Sequence, residues 1–265
     1  MNAEVLKSAA DEMARNRGVA IITVTRVSGS TPRKAGALMC VKADGSICGT
    51  IGGGKLEATA IEKALECMAR GASQEFVFKL TDEPGSLHMQ CGGEAAVFVN
   101  VMKMRDKLIV FGAGHISRQL CRLAKMLGFH VTIVDDRAEL CNRGQFPEAD
   151  ALVVDDLQCG FACQALDAHS FVVIVTRGHA TDALALREVA ASEAGYIGMI
   201  GSHRKIACIL EDLSKSGVPA DALEKVYAPI GLDLGGDTPE DIAFSILAEI
   251  QVIRHGGKLA HLKVR

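Results

Sequence analysis

The rhythm of apolar and polar positions changes near residue 104. Before that point helical spacing and β-rich runs alternate with glycine-rich loops. Residues 3–17 carry Val5, Leu6, Ala9, Ala10 and Met13 at helical intervals, which predicts an N-terminal helix. GVAIITVTRV (18–27) reads as a strand and SGSTPRKAG (28–36) as a loop. ALMCVKADGSICGTI holds two strand-like runs around Asp44-Gly45, a hairpin signal. Gly52-Gly53-Gly54 leads into the helical stretch KLEATAIEKALECMARG, closed by Gly71. QEFVFKL and EAAVFVNVM are two further strands, separated by TDEPGSLHMQCGG. This pattern predicts a smaller α+β domain over residues 1–104.

The charged stretch KMRDK (103–107) marks the boundary. KLIVFG, HVTIVD, ADALVVD, SFVVIVT and YIGMIG then recur as continuous apolar runs, with helical stretches between most of them. A strand that is apolar at every position is buried on both faces, so these runs predict a parallel sheet with helices on both sides. The fold class is therefore α/β, with a Rossmann-like nucleotide-binding domain over 105–265. Thr238-Pro239-Glu240 opens a long helix, with Thr as N-cap and Pro at the first helical position. Ile242, Ile246, Ile250 and Ile253 line one of its faces.

Composition narrows the function classes. The 265-residue chain has a net charge of −3, 4% aromatic residues and no Trp, which argues against a nucleic-acid-binding face. No apolar run is long enough for a membrane helix. The N-terminal stretch MNAEVLKSAADEMARNRG is too charged for a signal peptide, so a cytoplasmic protein is expected. Nine scattered cysteines without a C-x-x-C pair suit reduced thiols better than a zinc knuckle or disulfide framework.

Candidate chemistry follows the strands. In an open α/β sheet, ligands bind beyond the carboxyl ends of the strands. The first run ends in Gly112-Ala113-Gly114-His115, a strand-to-helix turn suited to phosphate, with Ser117 in place of the third glycine of G-x-G-x-x-G. Asp135 lies 23 residues after Gly112, where an acidic group grips a ribose hydroxyl in NAD-binding versions. Arg177 and His179 follow the fourth run, and His179 is a candidate acid/base. Ser202 and Arg204 open a helix after the fifth and suggest a second anion site. Gly52, Gly53 and Gly54 offer a further one. Cys91, beside Gly92 and Gly93, is a candidate reactive thiol. The alternatives at each position are a connecting turn, a solvated helix start and an inert surface residue.

Taken in order, SGSTPRKAGALM, GTIGGGKLE, QCGG, FGAGHIS, VDDR, TRGHATD, YIGMIGSHRK and PIGLDLGGDTPEDIAFSILAEI resemble the XdhC/CoxI family, accessory proteins of xanthine dehydrogenase and related molybdenum hydroxylases. The resemblance runs from about residue 18 to 254. It implies binding of the molybdenum cofactor, a pterin dithiolene with a terminal phosphate. It further implies protection of that cofactor during sulfuration and its delivery to a hydroxylase apoenzyme. The implied partners are that apoenzyme, a cysteine desulfurase as sulfur donor, and a second copy in a homodimer; nucleic acid and membrane are not implied. By the same resemblance Cys91 matches a cofactor-binding Cys-Gly-Gly motif and is a possible molybdenum contact, and Ser30, Pro32 and Arg33 match a Gly-Ser-x-Pro-Arg loop. Two departures stand out: a single cysteine precedes Gly92-Gly93, and Lys55 follows the three glycines where related branches carry a cysteine in the loop. The rival readings are an NAD(P)-dependent oxidoreductase using His179 and a nucleotide-sensing regulatory module.

Overall fold

The computed structural model describes residues 2–80, 93–155 and 166–260. It divides into two compact units, Met1–Met104 and Arg105–Arg265.

The first unit is an antiparallel sheet with a helix on each face. Its strands are β1 (Val19–Ser28), β2 (Leu38–Lys42), β3 (Ile47–Gly49), β4 (Gln74–Leu80) and β5 (Gly93–Met102), in the order β3-β2-β1-β5-β4. Side chains alternate along a strand, so β1 supplies two cores. Ala20, Ile22 and Val24 pack with Leu56, Ala60 and Ala64 of helix α2 (Gly54–Arg70). Val19 and Ile21 pack with Val5 and Ala9 of helix α1 (Asn2–Ala14). The apolar face of α1 is narrower than its sequence spacing suggests. Leu6 is 51% and Met13 46% exposed, and the buried third position is Glu12, paired with Lys42 at 3.5 Å. The Asp44-Gly45 hairpin forms as its residues dictate: Gly45 takes φ +80°, and the Ser46 N–H donates to Asp44 Oδ1 at 2.9 Å. Gly71 ends α2 in the left-handed conformation that spares glycine a Cβ clash.

The second unit is a six-stranded parallel sheet. Its strands are β6 (Lys107–Phe111), β7 (His130–Asp135), β8 (Ala151–Val154), β9 (Ser170–Ile174), β10 (Tyr196–Met199) and β11 (Val226–Tyr227), in the order β11-β10-β9-β6-β7-β8. The chain winds outward from β6 to β8, then returns to the other side of β6 at β9. That order is the doubly wound one, and its switch point lies between β6 and β9. Alternate residues again serve opposite faces. Leu108 and Val110 join α3 (His115–Met126) and α7 (Pro239–His255), whereas Ile109 and Phe111 join α4 (His179–Val189), α5 (His203–Lys215) and α6 (Ala220–Glu224). α7 starts as its sequence requires, in a capping box between Thr238 and Asp241 with Pro239 in the first turn. Tyr196 ties β10 to α7 through a 2.5 Å hydrogen bond from its hydroxyl to Glu249.

Candidate functional site

The glycine turn sits at the switch point, and its two glycines have different reasons to be there. Gly112 has φ +112°, and a Cβ on it would fall 2.8 Å from the Val175 carbonyl carbon just beyond β9. The fold itself therefore demands glycine at 112. Gly114 has an ordinary φ of −84° as N-cap of α3, and a Cβ on it would meet nothing within 4 Å. Its small size answers to no neighbour among the described residues. Among the described residues no side chain caps this helix start, which leaves the N–H groups of its first turn without a side-chain partner. His115 is exposed beside them. Ser117, in the position of the third glycine, is fully buried, and its hydroxyl has no hydrogen-bond partner among the described residues.

Asp135 does not have the placement its spacing suggests. It is 4% exposed, and its carboxylate already accepts four hydrogen bonds. Oδ2 takes the Ala113 N–H at 2.7 Å and Arg137 Nη2 at 2.8 Å. Oδ1 takes the Arg137 N–H at 3.0 Å and Nε at 2.8 Å. A carboxylate has about four lone-pair sites, so none is left for a ribose hydroxyl. Burial raises the carboxyl's pKa, but the Arg137 and Ala113 hydrogen bonds overrule it and hold it below the ordinary 3.8. Asp135 is thus a brace between the end of β7 and the glycine turn. The reason lies in Arg137, two residues on, which fills the site a ligand would need.

The exposed acid at this edge is Asp136, which receives a 2.8 Å hydrogen bond from Arg177. β7 and β9 flank β6, so this pair spans the strand that ends in the glycine turn. Behind Arg177, the fully buried Asp182 accepts from the Thr176 N–H at 3.2 Å and from Thr176 Oγ1, and it pairs with Lys205 of α5. Asp182 so fixes the loop after β9. Ser202 is committed to its own helix, where its hydroxyl accepts from the Lys205 N–H at 3.3 Å. Arg204 is exposed and makes no hydrogen bond or ion pair among the described residues. His179 is exposed at the start of α4, where its ring nitrogens lie near Cys208 and Asp212 of α5.

In the first unit the sequence motifs converge. Gly52 has φ +133°, and a Cβ there would lie 2.6 Å from Pro32, so the triple-glycine turn packs on the Ser30–Arg33 loop. A Cβ on Gly93 would meet the carbonyl oxygens of Ser28, at 2.6 Å, and Ser30. Ser30 and Arg33 are exposed. The expected anion site at Gly52, Gly53 and Gly54 is already supplied with an anion. Glu57 accepts from the N–H groups of Ile51 and Gly53, each at 3.2 Å, and from the Thr50 hydroxyl. Cys91, the candidate thiol and molybdenum contact, lies outside the described residues.

Two residues of this site carry little sequence signal. Asp136 is masked by the better-known spacing of Asp135, and the one signal for Asp182 is its helical register with the buried Ala185, Leu186 and Val189 of α4, where a lone polar residue is easily passed over.

Comparison with known proteins adds the lineage. The profile of the XdhC Rossmann domain matches residues 108–250, and that of the XdhC and CoxI family matches residues 13–79. Uncharacterized protein YqeB of Escherichia coli (strain K12) is 34% identical over 257 residues, covering 95% of this chain and 46% of its own length. A protein of Bacillus subtilis (strain 168) named as a probable xanthine dehydrogenase subunit is 30% identical over 154 residues, covering 58% of this chain and 44% of its own length. The molybdenum cofactor insertion chaperone PaoD of Escherichia coli (strain K12) is 23% identical over 279 residues, covering 94% of this chain and 88% of its own. The chain spans less than half the length of the first two relatives. A crystal structure described as a xanthine dehydrogenase from Bacillus halodurans shares the fold, with a TM-score of 0.53, 22% identity, and coverage of 97% of this chain and 96% of that one.

Proposed function

The chain belongs to the XdhC and CoxI family, and from that premise we propose that it is a maturation factor for a molybdenum hydroxylase. Its cargo is the molybdenum cofactor, which it shelters while the terminal sulfur ligand is installed and then delivers to a xanthine dehydrogenase-type apoenzyme. The relative named as a molybdenum cofactor insertion chaperone supports this reading.

The observation that carries it is the open space at Gly114, in front of the uncapped first turn of α3. A terminal phosphate fits there: free N–H groups and the positive helix end complement its charge. Arg177 is an exposed cation that follows the neighbouring strand β9, held among the described residues by a surface pair with Asp136 that a phosphate can displace. Arg204 adds charge from the start of α5. In the first unit the meeting of the Ser30–Arg33 loop, the Gly52 turn and Gly93 supports a separate binding surface of its own. A nicotinamide dinucleotide is a poorer fit, because Asp135 has no acceptor to offer a ribose. No step of a redox reaction is assigned to these residues; they bind, orient and shield.

Transfer tests the proposal. The chain is loaded without air with cofactor released from a molybdenum enzyme, then mixed with a cofactor-free hydroxylase of the xanthine dehydrogenase class. Loaded chain is expected to restore hydroxylase activity faster than the same amount of free cofactor. Equal rates, together with no cofactor retained on the chain after gel filtration, contradict it.

A further inference from the structure

Outside the glycine turn, the second unit brings together three side chains of different metal-binding chemistry. His179 is the first residue of α4, which follows β9. Cys208 and Asp212 stand four residues apart on α5, so they share one helix face. α4 and α5 pack on the same side of the sheet, and that packing sets the histidine against the cysteine–aspartate face. A ring nitrogen, the Sγ and a carboxylate oxygen all lie within 4.8 Å of one another, and all three residues are exposed. Cys208 Sγ is 4.0 Å from Asp212 Oδ2.

We propose that His179, Cys208 and Asp212 form a binding site for a zinc-class divalent metal ion with a fourth position open to solvent or ligand. The donor types decide the class of ion. An imidazole and a thiolate select a borderline ion such as Zn²⁺ over Mg²⁺ or Ca²⁺, which prefer all-oxygen shells. The spacing decides feasibility. With bonds of about 2.0 Å to N or O and about 2.3 Å to S, a tetrahedral ion holds its ligand atoms about 3.5 Å apart. Rotamer adjustments of exposed side chains close the remaining gap without moving either helix. On the same helix the exposed Glu211 is instead engaged in an ion pair with Lys215. Binding displaces the thiol proton to solvent, so affinity increases as pH rises. This site is independent of the cofactor reading above, since it uses neither the glycine turn nor any residue of the first unit.

The test uses the full chain and Zn²⁺ alone, in a buffer with a non-chelating reductant. One ion per chain is expected to bind, and to raise the melting temperature by mass action. Co²⁺ in its place is expected to give a thiolate-to-metal charge-transfer band. His179→Ala and Cys208→Ser each weaken Zn²⁺ binding at least about tenfold, as loss of a ligand requires, and Cys208→Ser abolishes the Co²⁺ band. Cys48→Ser, in the first unit, retains both. None of the three substituted residues is buried, and unchanged circular dichroism confirms that each variant is folded. Absence of stoichiometric binding to the unaltered chain overturns the proposal. So does binding that His179→Ala and Cys208→Ser leave unchanged, since the ion then sits elsewhere.

Discussion

Gly112 and Gly114 look alike in the sequence and separate in the structure. Gly112→Ala places a Cβ against the Val175 carbonyl at a positive φ, and is expected to cost about 3 kcal/mol or more of unfolding free energy. Gly114→Ala enters open space at an ordinary φ, and its cost is only that of a poorer N-cap, under about 1 kcal/mol. Denaturant titration of the two variants checks the contrast; equal losses contradict it. Ser117 gives a second residue-scale test. Its hydroxyl is buried without a partner among the described residues, so Ser117→Ala is expected to stabilise the fold by up to about 1 kcal/mol. A clear loss of stability instead would mean that the hydroxyl has a partner after all. At this scale the turn is legible from its glycines and their flanking run, but the division of labour between them is not. That division depends on how closely β9 approaches, which no local pattern encodes. Spacing alone makes Asp135 look like a ribose ligand, yet Arg137 two residues on already signals that its oxygens are engaged.

Elements carry the longer couplings. The Asp136–Arg177 pair links the ends of β7 and β9 across β6, and both partners are exposed. Such a pair contributes within about 1 kcal/mol, so it yields to a ligand. Asp136→Asn is expected to change stability little and to tighten binding of a phosphate-bearing ligand by freeing Arg177. Arg177→Gln is expected to weaken it, and binding titrations that move together in one direction contradict the assignment. Three further acids brace the two edges of the sheet: Asp135 at the carboxyl edge, and Asp150 and Asp167 at the opposite edge, just before β8 and β9 begin. Asp135, Asp150 and Asp167 are each pushed up by burial, then held below 3.8 by stronger hydrogen bonds from Arg137, Lys125 and Lys107 respectively and from backbone N–H groups. A depressed folded-state pKa gives stability that is complete above the unfolded value and is lost as pH falls through the folded one. Melting temperature is therefore expected to be level from neutral pH down to about 5 and to drop below about 4. Asp135→Asn should melt lower at neutral pH and show a shallower acid drop. An unchanged acid slope in that variant contradicts the role of Asp135 as the brace of the turn. The five long strands of this sheet are legible because each is a continuous apolar run between polar ends. Val226–Tyr227 and Ala220–Glu224 are not, since two and five residues are too short to show a period.

The whole molecule sets two units side by side in the sequence, each with its own core and its own set of polar loops. No helix of the described residues is long and apolar enough to cross a membrane. The convergence of the Ser30–Arg33 loop on Gly52 and Gly93 is not legible from spacing, because β1, β2 and β5 bring those loops together only once the antiparallel sheet is formed. The proposed role of the chain stands on the glycine turn of the second unit as the seat of the cofactor's phosphate. The most direct measurement is an anaerobic titration of released cofactor onto the unaltered chain and onto Gly114→Val, with melting curves for both. One cofactor per chain is expected for the former and at least about tenfold weaker binding for the latter, since a branched side chain occupies the phosphate's place, while the melting temperature stays close to that of the parent. Equal binding by a folded Gly114→Val chain, or no binding by the parent, contradicts it.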